Sequence, residues 1–237
     1  MDRRGKCVGV CLLCIASLIC VPLSSAQVSV ITERYDNART GANLVETQLT
    51  TSNVNVSTFG KLWSYTVSGS VQAQPLYVAG LNMGAGGTHN VLFVVTMNDA
   101  VYAFDADSSS NTPLWSLDLT TQVPGLTPVP ITDLVSPNLN IVGNVGIEAT
   151  PQIDLSTNTM YLVARTKETA NNCGTVNGNY CQRLHALDIT SGAEKFGGPV
   201  VILGSVSGTG NALSGSAYRV DCLLLNKAFA LRKVENA

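Results

Sequence analysis

Helical periodicity is almost absent between Gln27 and about Gly210, and charge, aromatic rings and histidine are all scarce. Charged residues make up 13% of the 237-residue chain and aromatics 6%, and His89 and His185 are its only 2 histidines. With so few histidines no Ser-His-Asp arrangement can be specified. His185 falls inside a strand pattern at an ordinary packing position, and His89 precedes a strand and is expected to be solvated. No basic stripe runs along the chain, which makes nucleic acid and anionic membrane surfaces poor candidate partners. A long apolar run is also missing, except from Cys7 to Leu23. That run is short for a spanning helix, which needs about 20 residues. Arg3, Arg4 and Lys6 precede it, and "SSA" precedes Gln27. Together they predict a cleavable signal over residues 1–26 with cleavage near Ala26, and hence a secreted or periplasmic chain without stable membrane insertion. Ile19 before Cys20 is too large for a lipoprotein site.

Removing Asp2, Arg3, Arg4 and Lys6 takes the 14 basic and 16 acidic residues to 11 and 15, a mature net charge of −4. Four of the 7 cysteines leave with the signal, so Cys173, Cys181 and Cys222 remain. In an oxidising compartment Cys173 and Cys181, within "NNCGTVNGNYC", are the candidate disulfide. So short a loop is stabilised by at most about 2–3 kcal/mol. Cys-x₇-Cys without a nearby histidine pair is not zinc spacing. Cys222 is left odd. "GAGG" from Gly84 to Gly87 opens no helix after a strand, so it reads as a hairpin connection, not a phosphate loop. "NVS" at Asn55 is a glycosylation acceptor only in a host that glycosylates.

What the chain does have is short β-rich runs separated by Gly, Asn, Asp, Ser and Thr clusters, the pattern of an all-β protein. It also repeats itself. "VYAFDADSSSNTPLW" starts at Val101, and "LHALDITSGAEKF" starts at Leu184. Each unit is predicted to be four short antiparallel strands. Pro75 matches Pro151 at the first strand, and Phe93-Val94-Val95 matches Tyr161-Leu162-Val163 at the second. Ala103-Phe104-Asp105 matches Ala186-Leu187-Asp188 at the third, and Trp115 matches Phe196 at the fourth. Trp63 in "FGKLWSYTV" ends a preceding, incomplete unit. Asp105 and Asp188 are expected to accept backbone N–H bonds in the turn that follows, with Gly192 completing the second turn. Ala103 and Ala186 let neighbouring sheets approach, and Trp115 and Phe196 fill the space between them. Four strands in about 40–50 residues is the signature of a β-propeller blade. The alternative is a two-sheet sandwich with coincidental turns.

The units "VYAFDADSS…PLW" and "LHALDITSGAEKF" resemble the "A-x-D-x-x-T-G-x-x-x-W" repeat of the quinoprotein-type, pyrroloquinoline-quinone (PQQ)-like propeller family. The lead-in from Tyr35 to Trp63 resembles the segment before that family's first blade, and the likeness covers Tyr35 to Gly208. It implies residues 27–62 as a lead-in, 63–210 as blades of a partial propeller and 211–237 as an atypical tail. A propeller needs about 4–8 blades to close, so this chain reads as the N-terminal portion of a longer one. An unclosed stack exposes blade edges and is expected to self-associate. The tail is either truncated or frame-shifted, or a short closing helix on Leu223, Leu224, Lys227 and Leu231; the blade arithmetic favours the former.

The family's dehydrogenases hold PQQ on the propeller axis beside a calcium ion, with an Asp as base and a vicinal Cys-Cys pair nearby. This chain has no Cys-Cys pair after the signal. Glu148 and Asn144, in "NIVGNVGIEATPQID", could offer oxygens to a hard cation, but two such residues do not make a site and both are expected on turns. The resemblance therefore implies no catalytic residue and no metal ligand that can be carried over. The reading is an exported scaffold or binding module of unknown ligand. The alternative is the N-terminal fragment of a PQQ- and calcium-dependent alcohol dehydrogenase-like oxidoreductase.

Overall fold

The computed structural model describes residues 28–134, 141–169, 173, 179–203, 205–209 and 217–221. The signal segment 1–26, Cys222 and the helix positions Leu223 to Leu231 lie outside these residues. The described chain is mostly β, with 3₁₀ turns and no α-helix.

The first sheet is an antiparallel meander. It consists of β1 (Leu76–Asn82), β2 (Thr88–Val95), β3 (Ala100–Asp105) and β4 (Trp115–Asp118), in the order β1-β2-β3-β4. Alternation explains it: Val91, Phe93 and Val95 on β2 and Val101 and Ala103 on β3 all point into the core, while the residues between them face the other side. Gly84–Gly86 forms a 3₁₀ turn in the hairpin joining β1 to β2.

The second sheet is built on two long strands, β8 (Thr159–Glu168) and β9 (Tyr180–Asp188), with β7 (Gln152–Asp154) on the N-terminal half of β8. The repeat can be followed residue by residue in the register. In the first sheet Leu76 pairs with Phe93, Phe93 with Ala103 and Ala103 with Trp115. In the second, Gln152 pairs with Tyr161 and Tyr161 with Ala186. The Leu114 N–H donates to the Ala103 carbonyl at 2.7 Å, and the Lys195 N–H donates to the Ala186 carbonyl at the same 2.7 Å. Trp115 and Phe196, one residue further on, thus occupy equivalent places.

The units then diverge. No fourth strand forms at Phe196: the single bridge there joins Leu187 to Glu194, and the Glu194 carboxylate accepts the Ala186 N–H at 2.9 Å. Instead β10 (Val200–Val201) pairs with the middle of β9. The connection between the units adds β5 (Leu126–Pro130) to the far half of β8 and β6 (Asn144–Val145) to β5. The second sheet therefore has more strands than a four-strand unit supplies. A separate pair, β11 (Ser205–Thr209) with β12 (Ala217–Asp221), spans the expected boundary at Gly210.

The two sheets share one core. Leu76, Val91, Phe93 and Val101 from the first meet Ile153, Met160, Leu162 and Leu187 from the second. The lead-in closes its edge: Val30 bridges to Tyr77 on β1, and the Ile31 carbonyl accepts the Ile153 N–H of β7 at 2.8 Å. Trp115 locks the opposite side. Its ring packs on Phe93 with centroids 5.9 Å apart, and its indole N–H donates to the Ile189 carbonyl at 3.0 Å. Gly192 lies beneath that ring with φ +75°, and a Cβ there would sit 2.8 Å from Trp115 Cε3.

Gly192→Ala is accordingly expected to destabilise the full chain by about 2–5 kcal/mol. This combines roughly 1–2 kcal/mol for left-handed backbone with a Cβ and roughly 1–3 kcal/mol for overpacking. Gly197, with φ +72° and nothing within 4 Å of a built Cβ, is the control. Gly197→Ala should lose only the backbone part. Urea midpoints compare the two, and equal losses would mean that the indole contact contributes nothing.

Candidate functional site

The turn residues behave as strand-ending aspartates should. Asp188 Oδ1 accepts the Thr190 N–H at 2.8 Å, and Asp105 Oδ1 accepts the Asp107 N–H at 3.0 Å. Ala103 is fully buried, and Ala186 is half-buried. Phe196 departs from expectation: it is 73% exposed, at φ +57°, with Lys195 Nζ 5.6 Å from its ring centroid. No described element lies over it as the Ile189–Gly192 turn lies over Trp115. Cys173 and Cys181 form a disulfide with Cα atoms 5.9 Å apart. It closes the excursion between β8 and β9.

Both histidines have carboxylate partners. His89 is not free in solvent before a strand; it lies on β2, with Nδ1 3.0 Å from Asp105 Oδ2 and Nε2 2.8 Å from the Gly86 carbonyl. That carbonyl, then Asp105, raises its pKa. His185 is buried, and burial lowers its pKa against the pull of Glu194, whose Oε2 lies 3.0 Å away. Neither histidine faces a nucleophile, and each holds a hairpin or strand end together.

Polar groups concentrate where β2 turns into β3 and where β5 and β6 meet the far end of β8. Arg183 pairs with Glu168 in the interior, and its Nη1 also donates to Thr166 Oγ1 at 3.0 Å. Lys167 and the Tyr180 hydroxyl both donate to Asp133 Oδ2, at 2.6 and 2.8 Å, and hold its carboxyl below the usual range. On the outer side of the first sheet an open cleft of about 380 Å³ is bordered by Ser68, Asn98, Tyr102, Ser116, Asp118 and Asn144. Sequence reasoning singled out only Asn144 among these. The others are common turn and strand residues whose spacing carries no signal.

Asp99 is the most unusual group. It ends the β2–β3 turn at φ +58° and is fully buried, with Gly146 so close that a Cβ there would lie 2.6 Å from Oδ1. Neither carboxyl oxygen makes a well-formed hydrogen bond. Burial pushes its pKa up to about 8, with the Arg165 backbone N–H opposing and Asp118 adding a little. Its carboxyl lies beside the Arg165 backbone on β8.

Calcium takes about 6–8 oxygen ligands. Among the described residues, one group of three candidate ligands converges within 4.8 Å, namely Glu168, Cys173 and Cys181, and its sulfurs are bonded to each other. Glu148 belongs to no such group. Asn144 Nδ2 donates to Asn98 Oδ1 at 2.8 Å, which ties its amide into the protein. Among the described residues no other group of three His, Cys, Asp or Glu side chains converges. No protein-family model and no curated protein matches the chain.

The raised pKa of Asp99 has a definite sign. Its acid form is kept in the fold, whereas the unfolded chain ionises near its ordinary value of about 3.9. The contribution is therefore fully present below about pH 4 and is lost as pH rises towards 8, by about 1.4 kcal/mol per unit. Asp99→Asn removes the ionisation and suits the left-handed backbone. The variant should resist urea better than the parent at pH 8 and lose that advantage towards pH 4. A constant difference across that range would show that Asp99 is ionised in the fold.

Proposed function

We propose that this chain is an exported, quinoprotein-like β-propeller repeat protein that serves as a scaffold or binding module, its two sheets being consecutive blades of a longer array. The observation that carries the reading is a contact made in series. Trp115, at the end of the first unit, donates to the turn after β9. Tyr65, beside Trp63, makes the corresponding contact one unit earlier: its hydroxyl lies 2.7 Å from the Asp105 carbonyl and 2.6 Å from that of Ser108, in the turn after β3. Trp63 Nε1 donates to the same hydroxyl at 2.8 Å. Each unit thus hands an aromatic to the turn of the next. Phe196 is the next aromatic in line, exposed together with Val200 and Leu203.

A scaffold reading fits the chemistry as well. Buried Glu168 and Arg183 are paired with each other, and each histidine is held by a carboxylate within the fold. The oxidoreductase alternative gains no support from any described side chain.

The full secreted chain, expected to begin at Gln27, should show no saturable absorbance change with PQQ and Ca²⁺ and no dye-linked alcohol oxidation. Either signal would replace the module reading with the enzyme. On size-exclusion with light scattering the chain should self-associate through its exposed apolar end. A cooperatively unfolding monomer would overturn the partial-array reading.

A further inference from the structure

We propose that the cleft on the outer face of the first sheet binds an uncharged saccharide. This rests on the binding-module reading and gives that module a ligand class. Register builds the cleft: Tyr102 pairs directly with Ser116, and Ala100 with Asp118, so β3 and β4 present these side chains on one face. Asn98 and Asn144 reach in from the turn and from β6. The cleft's volume of about 380 Å³ lies at the lower end of small-molecule sites, roughly 300–1,000 Å³.

The polar groups are oriented as a relay. Asn144 Nδ2 donates to Asn98 Oδ1 at 2.8 Å, and Asn98 Nδ2 donates to Ser68 Oγ at 3.0 Å. The Ser68 backbone N–H donates to the Tyr102 hydroxyl at 3.1 Å. Each link fixes which capacity is left over. The Ser68 and Tyr102 hydroxyls have each accepted one bond from the relay and keep a proton to donate. At the other end the Asn144 carbonyl oxygen is the relay's acceptor. Asp118 Oδ1 already accepts the N–H and hydroxyl of Thr120 at 2.9 and 2.6 Å, which leaves Oδ2 as a second acceptor.

Donor and acceptor capacity therefore both face a cleft with no Lys, Arg or His in its lining. An anion finds no counter-charge there and meets the Asp118 carboxylate. A simple apolar ligand would strand the polar groups without partners. Vicinal hydroxyls, each both donor and acceptor, match the pattern. The ring of Tyr102 supplies the apolar half of the match: it lies parallel to Phe104 within 10°, centroids 5.7 Å apart, and Phe104 stacks in turn on Tyr65 at 4.4 Å. That rigid ring offers a surface for the C–H face of a pyranose.

Isothermal titration of the full secreted chain with cellotriose, maltotriose and laminaritriose tests this. At least one should bind with Kd about 1 mM or tighter. Tyr102→Phe, which keeps the ring stack, and Ser116→Ala should each weaken binding by about 3–10-fold, the effect of one hydrogen bond. Should Ser116→Ala fail to fold by circular dichroism, Tyr102→Phe alone decides. Silence with all three sugars, or binding that the folded variants leave unchanged, overturns the proposal. The PQQ and calcium titration is read separately by absorbance. A redox response there removes the module reading, whereas silent sugars without such a response remove only this inference.

Discussion

The indole of Trp115 leaves the first sheet and reaches the Ile189 carbonyl of the second, 3.0 Å away. Its ring also packs on Phe93 of its own sheet, with centroids 5.9 Å apart, so one side chain joins the units by an apolar contact on one and a polar contact on the other. It also dictates what may lie opposite. The chain after β9 must turn tightly enough to present a carbonyl to the indole and no side chain beneath its ring. Asp188 makes the turn by accepting the Thr190 N–H, and Gly192 leaves room for the ring. The same turn therefore serves two purposes, ending a strand and seating the preceding unit's aromatic. Tyr65 on the turn after β3 repeats the relation with a hydroxyl in place of the indole N–H.

Buried polar groups gather away from this apolar join, and the reason is topological. β7 pairs with β8 from Thr159 to Tyr161, and β5 pairs with it from Thr166 to Glu168. The stretch between them is left without a neighbouring strand on that edge, and the Asp99 carboxyl packs there against Arg165. Close by, Glu168 and Arg183 are removed from water as a pair. A buried ion pair is weak support for stability, because desolvation offsets the attraction. Its consequence is that neither member can be lost alone. The β2–β3 turn of the first unit thus meets β8 of the second through Asp99 beside the Arg165 backbone, and Trp115 joins the units at the other end.

Much of this was legible in the sequence where the physics is local. Short β-rich runs between turn clusters marked β2, β3, β8 and β9, and the matched Pro, aliphatic, Ala-x-Asp and aromatic positions set a register that the ladders of both sheets repeat. The Cys173–Cys181 pairing followed from spacing and an oxidising destination. What could not be read depends on distant partners. β6 and β10 are two residues each and show no period. Glu194 takes over a hydrogen bond that a fourth strand would have made, and nothing in "SGAEKF" announces it. His89 was placed in solvent because its partner, Asp105, is brought near only when β2 pairs with β3. The cleft was invisible for the same reason: Ser68, Asn98 and Asn144 come from three separate segments, and although Asn144 reads as a candidate cation ligand, nothing in the sequence brings the three together.

The core and the cleft are nevertheless one constraint, because a single strand supplies both. On β3 the residues Val101 and Ala103 face inward to Trp115 and the second sheet, while Ala100, Tyr102 and Phe104 face outward. Sliding β3 by one residue would bury Tyr102 and expel Val101, since the side-chain period is two. The position of the polar cleft is thus set by apolar packing on the opposite face of the same sheet. Phe104 beneath Tyr65 holds the outer face dry at one end, and Ser116 and Asp118 leave it polar at the other. The gradient along that face arises from β3 and β4 pairing as they do, and that pairing is maintained by the same Ala103–Trp115 step that joins the units.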